Sequence, residues 1–126
     1  MSFAMASVRI DKLTEVLADR ADVLAAWVFG SGKEGSVRRG GDVDIGILFD
    51  RLPGLDDLTR LRAEIQDALG YDEIDLVPLN DASSILRFEA VSGRRIFCRD
   101  DERCASFVSL AAREYEDAIA LAQDYL

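Results

Sequence analysis

Val28-Phe29-Gly30-Ser31, followed after ten residues by Asp42-Val43-Asp44-Ile45-Gly46-Ile47-Leu48, is the stretch that decides how this chain folds. The run Leu24 to Phe29 (LAAWVF) is apolar and closes on Gly30, which reads as a buried strand ending in a sharp turn. Val43 to Phe49 (VDIGILF) reads as a second buried strand. Strand side chains alternate between faces, so Asp42 and Asp44 project together from a segment whose other residues are apolar. Between the two strands, Gly32 to Gly41 is polar and glycine-rich, a loop with room for one helical turn.

The remaining chain builds outward from this pair. Val8 to Ala21 carries Ile10, Leu13, Val16 and Leu17 at the spacing of an amphipathic helix. Pro53-Gly54 breaks the chain, and Leu55 to Leu69 then sets Leu58, Leu61, Ile65 and Leu69 on one face, with Gly70 to end the helix. Glu73 to Leu79 (EIDLVPL) reads as a third strand with Pro78 near its end. Asp81 stands where it can cap a helix running to about Val91. Arg95 to Cys98 is a fourth short strand, and Ala105 to Leu126 a long closing helix whose apolar face includes Phe107, Val108, Ala111, Tyr115 and Ile119. Strands alternate with helices, so the expected class is α/β (α+β): a small mixed sheet flanked by helices, in one domain over residues 1–126. No internal repeat and no linker interrupts it.

Fifteen Lys plus Arg stand against 24 Asp plus Glu, a formal net charge of −9. That field repels phosphates, which argues against direct nucleic-acid binding and means that an anionic substrate needs metal ions or a local cationic patch. No apolar run approaches the roughly 20 residues needed to cross a bilayer. Met1-Ser2-Phe3-Ala4-Met5 has neither the basic start nor the long apolar stretch of a secretion signal, so the expected location is cytoplasmic. Cys98 and Cys104 fit no common zinc spacing and the chain has no His; the reading there is two reduced thiols. Without a His to generate a thiolate, neither is a ready nucleophile.

The chemistry concentrates on carboxylates. Two ionised groups held together repel, and each costs several kcal/mol to desolvate. A bare Asp-x-Asp also occurs at strand edges in solvent. Here Asp75 sits in another apolar run, Ile74-Asp75-Leu76-Val77. If the two strands are neighbours, three carboxylates converge, enough for the metals about 3.5–4 Å apart that serve phosphoryl transfer. Mg²⁺ suits such a site because it prefers carboxylate oxygens shared with substrate phosphates. Gly30 lets backbone approach a phosphate, and the Ser31 hydroxyl can donate to one.

Gly30-Ser31, ten residues, Asp42-x-Asp44 and then a strand-borne Asp75 resemble the signature of the polymerase-β-like nucleotidyltransferase superfamily. Asp75-Leu76-Val77-Pro78-Leu79-Asn80, then Ile85-Leu86-Arg87-Phe88-Glu89, Gly93-Arg94-Arg95-Ile96-Phe97 and the final helix resemble the MntA-type minimal nucleotidyltransferase antitoxins, from about Val8 onward. The resemblance implies a nucleotidyltransferase fold and an antitoxin that moves AMP from ATP onto a tyrosine of a cognate HEPN-domain RNase toxin. It implies Asp42 and Asp44 as Mg²⁺ ligands, with Asp75 completing the site and helping to activate the tyrosyl hydroxyl. Gly30 and Ser31 would hold the triphosphate, with Lys33 and Arg39 as supporting cations. Two positions depart from the family pattern: Glu34 stands where an Arg is common, and Gly41 where a Ser often precedes the first Asp.

Two other functions compete. The domain could neutralise the toxin by stoichiometric binding, a reading that Glu34 and the acidic surface motivate. It could instead modify a small molecule, although such enzymes usually add an acceptor-binding domain for which 126 residues leave little space. Arg38-Arg39 reads as a solvated loop pair or a triphosphate guide. Trp27, Val28 and Phe29 read as core, Arg87 as a partner contact or a surface ion pair, and Tyr115 and Tyr125 as packing residues of the last helix.

Overall fold

The computed structural model describes residues 5–7, 9–30, 36–38 and 42–124, the two three-residue segments by backbone alone. In chain order the elements are β1 (Met5–Ser7), α1 (Ile10–Ala18), β2 (Val23–Phe29), β3 (Ser36–Arg38), β4 (Val43–Phe49), α2 (Leu55–Leu69) and β5 (Ile74–Pro78). A 3₁₀ turn (Leu79–Asp81), α3 (Ser84–Val91), β6 (Arg94–Cys98) and α4 (Asp101–Gln123) follow. The main sheet has the order β5-β4-β2-β6. β2 runs antiparallel to β4 and to β6, whereas β5 runs parallel to β4, so the sheet is mixed as expected.

Alternation along the central strands makes two cores. Ala26 and Val28 of β2 and Val43, Ile45, Ile47 and Phe49 of β4 pack against Leu13 and Leu17 of α1 and Leu61, Ile65 and Leu69 of α2. Ala25, Trp27 and Phe29 point the other way, toward Leu79, Ala90 of α3 and Cys104 of α4. Every residue of β2 is buried, which accounts for its unbroken apolar run. Trp27 meets Phe107 of α4 with ring centroids 5.9 Å apart, so its reading as core holds.

Side-chain bonds secure the second layer. Asn80 closes the far end of β4, accepting from the Phe49 N–H at 3.0 Å and donating to the Phe49 carbonyl at 2.8 Å. Arg87 donates to the Leu79 and Asn80 carbonyls at 2.8 and 2.6 Å and pairs with Glu114 of α4 at 3.1 Å. It therefore ties the end of β5, α3 and α4 together, with the ion pair that is one of its two readings.

The boundaries differ from the sequence reading where caps and distant pairings decide them. Helix α3 is capped by the Ser83 hydroxyl, which accepts from the Leu86 N–H at 3.2 Å; Asp81 lies in the preceding 3₁₀ turn. Helix α4 starts at Asp101, ahead of Ala105, because Asp100 accepts from the Arg103 N–H at 3.2 Å. Met5–Ser7 pairs antiparallel with Ser36–Arg38, so a short strand stands inside residues 32–41, the stretch read as loop. Cys98 and Cys104 form a disulfide with Cα atoms 6.5 Å apart, which corrects the expectation of two free thiols. The short connection from β6 folds the first turn of α4 back onto the strand end, within ordinary disulfide reach.

Candidate active site

Strand register brings the acids together. Asp44 on β4 stands level with Asp75 on the parallel neighbour β5, and on its other side with Phe29 at the end of β2. Ile45 and Val43 are committed to the α1/α2 core, so Asp44 is turned toward the α3/α4 side. Asp75 is flanked by Ile74 and Leu76, which pack into that same α1/α2 core, and shares the face of Asp44. Asp44 is half-buried, while Asp75 and Asp42 are exposed.

This crowding shows in the proton affinity of Asp44. Its pKa is raised above the ordinary carboxylate value, first by burial, then by the negative charges of Asp75, Asp42 and Glu89. Among the described residues, the charges acting on it are of its own sign. Tyr71 is held nearby, its hydroxyl pKa raised by burial and by Glu73 and Asp42. A cation fits this donor set: hard carboxylate oxygens, mutual repulsion, and no basic group acting on Asp44 among the described residues. Among the described residues no three acidic, Cys or His side chains stand as a closed metal cluster. Mg²⁺ asks for less than that from a protein, because it keeps waters and takes substrate phosphate oxygens.

Two glycines shape the site. Gly30 lies at φ 67°, in the left-handed region, and a Cβ there would run into Oδ2 of Asp44. Only glycine lets the end of β2 turn while the Asp44 carboxylate lies against it. Gly46, two residues beyond Asp44 on the same face, is covered by α3: a Cβ would stand 3.1 Å from the Ala90 Cβ and 3.2 Å from the Leu79 methyls. The missing side chain lets α3 sit close, and Glu89, next to Ala90, is thereby carried up to Asp44.

The sequence reading does not single out Glu89. Its only signal is position, one residue from the small Ala90 that packs on Gly46. Of the nucleotide-binding candidates, Gly30 is placed beside Asp44, and Ser31, Lys33 and Arg39 lie outside the described residues, as do Glu34 and Gly41. Tyr125 lies outside them too. Tyr115 stacks on Phe88, with ring centroids 4.1 Å apart and planes 13° from parallel.

Comparisons with known proteins agree with this geometry. The family described as polymerase beta, nucleotidyltransferase, matches residues 11–102, from α1 through the start of α4. A chain of a toxin–antitoxin crystal structure with AMP-PNP superposes with a TM-score of 0.79 at 22% identity, covering 94% of this chain and 95% of that one. A chain from the complex of a tri-AMPylated Shewanella oneidensis HEPN toxin with an MNT antitoxin superposes with a TM-score of 0.74 at 21% identity, covering 92% and 91%. A toxin–antitoxin MntA–HepT structure gives 0.73 at 21%, covering 92% of each chain. At these identities the likeness is one of fold. No curated protein matches the chain by sequence.

Proposed function

Because the chain belongs to the polymerase β nucleotidyltransferase family, we propose that it is an antitoxin enzyme that transfers AMP from ATP to a tyrosine of a cognate HEPN-domain RNase toxin. The observation that supports this most is the pairing of Asp44 and Asp75 across parallel strands, beside a glycine that only fits without a side chain. The likeness of nearly the whole chain to toxin–antitoxin structures, one holding an ATP analogue and one a tri-AMPylated toxin, supports the finer identity of substrate and partner. The net charge of −9 suits a protein that meets a basic RNA-binding partner and does not bind nucleic acid itself. No helix among the described residues is long and apolar enough to cross a membrane, and the reading places the protein in the cytoplasm with its partner. In this reading residues 1–126 form one nucleotidyltransferase domain.

Asp42, Asp44 and Asp75 are the residues that would hold Mg²⁺. Bound there, it supplies positive charge to a triphosphate that a −9 protein otherwise repels. Gly30 and Ser31 receive the phosphates at the end of β2, with Lys33 and Arg39 as flanking cations. Asp75 lies on the edge strand β5, so an acceptor hydroxyl approaches it from outside the sheet. The tyrosyl oxygen bonds to the α-phosphorus as the bond from that phosphorus to the bridging oxygen breaks. Pyrophosphate leaves, and the phenolic proton passes to Asp75.

The test is direct. Purified chain, ATP, Mg²⁺ and the HEPN protein encoded beside it should give toxin carrying AMP by intact mass, and Asp44→Asn should abolish the increment. An unmodified toxin under those conditions refutes the transfer. If Asp44→Asn still neutralises the toxin in cells, neutralisation works by stoichiometric binding instead.

A further inference from the structure

Strand β5 is an edge of the main sheet, and among the described residues no strand lies beyond it. The Val43 N–H donates to the Glu73 carbonyl at 2.8 Å. Alternation then turns the backbone groups of Asp75 and Val77 toward β4, and those of Ile74, Leu76 and Pro78 outward. Two of these three outward positions are closed to a partner strand. The Ile74 carbonyl accepts from Nε and Nη2 of Arg62 at 3.3 and 3.1 Å, and the Ile74 N–H donates to the Asp72 carbonyl at 2.9 Å. Pro78 has no N–H to give. What the edge offers is the N–H and carbonyl of Leu76.

The two faces of this foothold differ. Leu76 packs on the α1/α2 side, where a groove of about 320 Å³ is lined by Leu76 and Pro78 of β5 and Leu55 and Leu58 of α2. Leu55 is 78% exposed, an apolar side chain that the fold leaves uncovered. Asp75 and Val77 take the opposite face, toward α3 and α4, Asp75 beside Asp44. Exposed Asp72 and Glu73 precede the foothold and exposed Asp81 follows it, so its surroundings are acidic.

Resting on the nucleotidyl-transfer reading, we propose that this edge docks the extended segment of the protein acceptor that carries the modified tyrosine. Antiparallel addition satisfies both groups of Leu76 with a single partner residue. That residue shares the face of Leu76 and is aliphatic, filling the groove beside Leu55. The partner runs opposite to β5, so its next residue stands level with Asp75 and on the same face. This residue is the tyrosine. The reverse order would set the tyrosine level with Val77, away from the acids. Basic residues around the pair meet Asp72, Glu73 and Asp81. The acceptor is therefore a basic stretch in which an aliphatic residue immediately precedes the tyrosine.

The experiment gives the full chain, with ATP and Mg²⁺, two synthetic peptides of one composition: Lys-Lys-Leu-Tyr-Lys-Lys and Lys-Lys-Tyr-Leu-Lys-Lys. The first should gain AMP by mass about ten times faster, the worth of one good hydrogen bond. N-methylating its leucine amide should remove that lead, because this N–H donates to the Leu76 carbonyl. N-methylating its tyrosine amide, which points away from β5, should keep it. With the cognate toxin as acceptor, Leu55→Ser should raise the KM for toxin about tenfold, the lower end of what burying one leucine is worth, and leave the KM for ATP unchanged. Leu121→Ser, at a leucine 62% exposed on α4, should change neither, which separates the groove from a general loss of apolar surface. Equal rates for the two peptides, AMP on the toxin but on neither peptide, or an unchanged toxin KM in Leu55→Ser each overturn the docking proposal, although transfer itself stands. Should neither peptide nor toxin take AMP, this proposal and the transfer reading fall together.

Discussion

Gly30 and Gly70 form a matched pair that separates the shared cost of left-handed backbone from the surroundings particular to Gly30. Both adopt left-handed backbone, at φ 67° and 64°. A side chain in that region costs about 1–2 kcal/mol. They differ in surroundings: a methyl on Gly70 meets nothing within 4 Å, whereas on Gly30 it strikes Asp44 Oδ2. For 126 residues the entropy of unfolding is about 0.26 kcal/mol/K, at roughly 2.1 cal/mol/K per residue. Each glycine-to-alanine change should therefore lower the melting temperature by about 4–8 °C. The Asp44 side chain can swing away, so relieving the clash adds little to the stability loss. It does remove the carboxylate from its place, and displacement of about 1 Å costs around 10²-fold in rate. Circular dichroism melts and AMP transfer, assayed well below both midpoints, separate the two effects. Gly70→Ala should retain transfer and Gly30→Ala should lose it about 100-fold. Transfer by the two variants within about threefold of each other refutes the placement of Asp44 against Gly30.

Asp44→Asn should raise the melting temperature of the metal-free protein at neutral pH. The folded pKa of Asp44 is raised by burial and by Asp75, Asp42 and Glu89, so its ionised form destabilises the fold; the gain should vanish in acid, where both variants are neutral at that position. Asp57 behaves oppositely: its bond to Arg20 at 2.9 Å holds its pKa below the ordinary carboxylate value, so that increment of stability is present at neutral pH and lost as pH falls through the folded pKa. Asp57→Asn should thus lower the midpoint at neutral pH and leave it unchanged in strong acid. Gly93→Ala should destabilise more than Gly46→Ala in urea titrations: at Gly93 the new methyl meets the Val28 carbonyl at 2.5 Å and the Phe29 Cα at 3.0 Å, both backbone, whereas at Gly46 it meets movable side chains.

What was legible in the sequence follows the range of the forces involved. Burial on both faces writes β2 as seven unbroken apolar residues, and an acid in such a run, as at Asp44 and Asp75, declares that something must offset it. Helices α1 and α2 announce themselves by periodicity, and the left-handed Gly70 ends α2 as expected. The starts of α3 and α4 were harder, because several Asp and Ser residues compete as caps and only the local backbone selects Ser83 and Asp100. The β1–β3 pair is invisible because its two partners are three residues long and about thirty apart in sequence, with no alternation to mark either. The disulfide was missed for a related reason: compartment, not geometry, governed the reading of two cysteines with five residues between them.

Glu89 shows how the site reaches beyond its motif. Nothing near residue 89 reports on Asp44, because the link runs through a third residue. Gly46 has no side chain, so Ala90 and Leu79 pack directly onto β4 and α3 descends by the thickness of a methyl group. Arg87 then fixes that depth from the other side, bonded to the Leu79 and Asn80 carbonyls and to Glu114. With α3 held there, the residue between Arg87's turn and Ala90 has to face the acids. The third negative charge acting on Asp44 is thus a consequence of packing at Gly46, and the electrostatic cost it adds falls on the side chain most in need of a cation. A glycine two positions after an acid on a buried strand, facing a small residue on the covering helix, is the trace of this arrangement in the sequence. It is a pattern of pairs across space, which periodicity along the chain does not display.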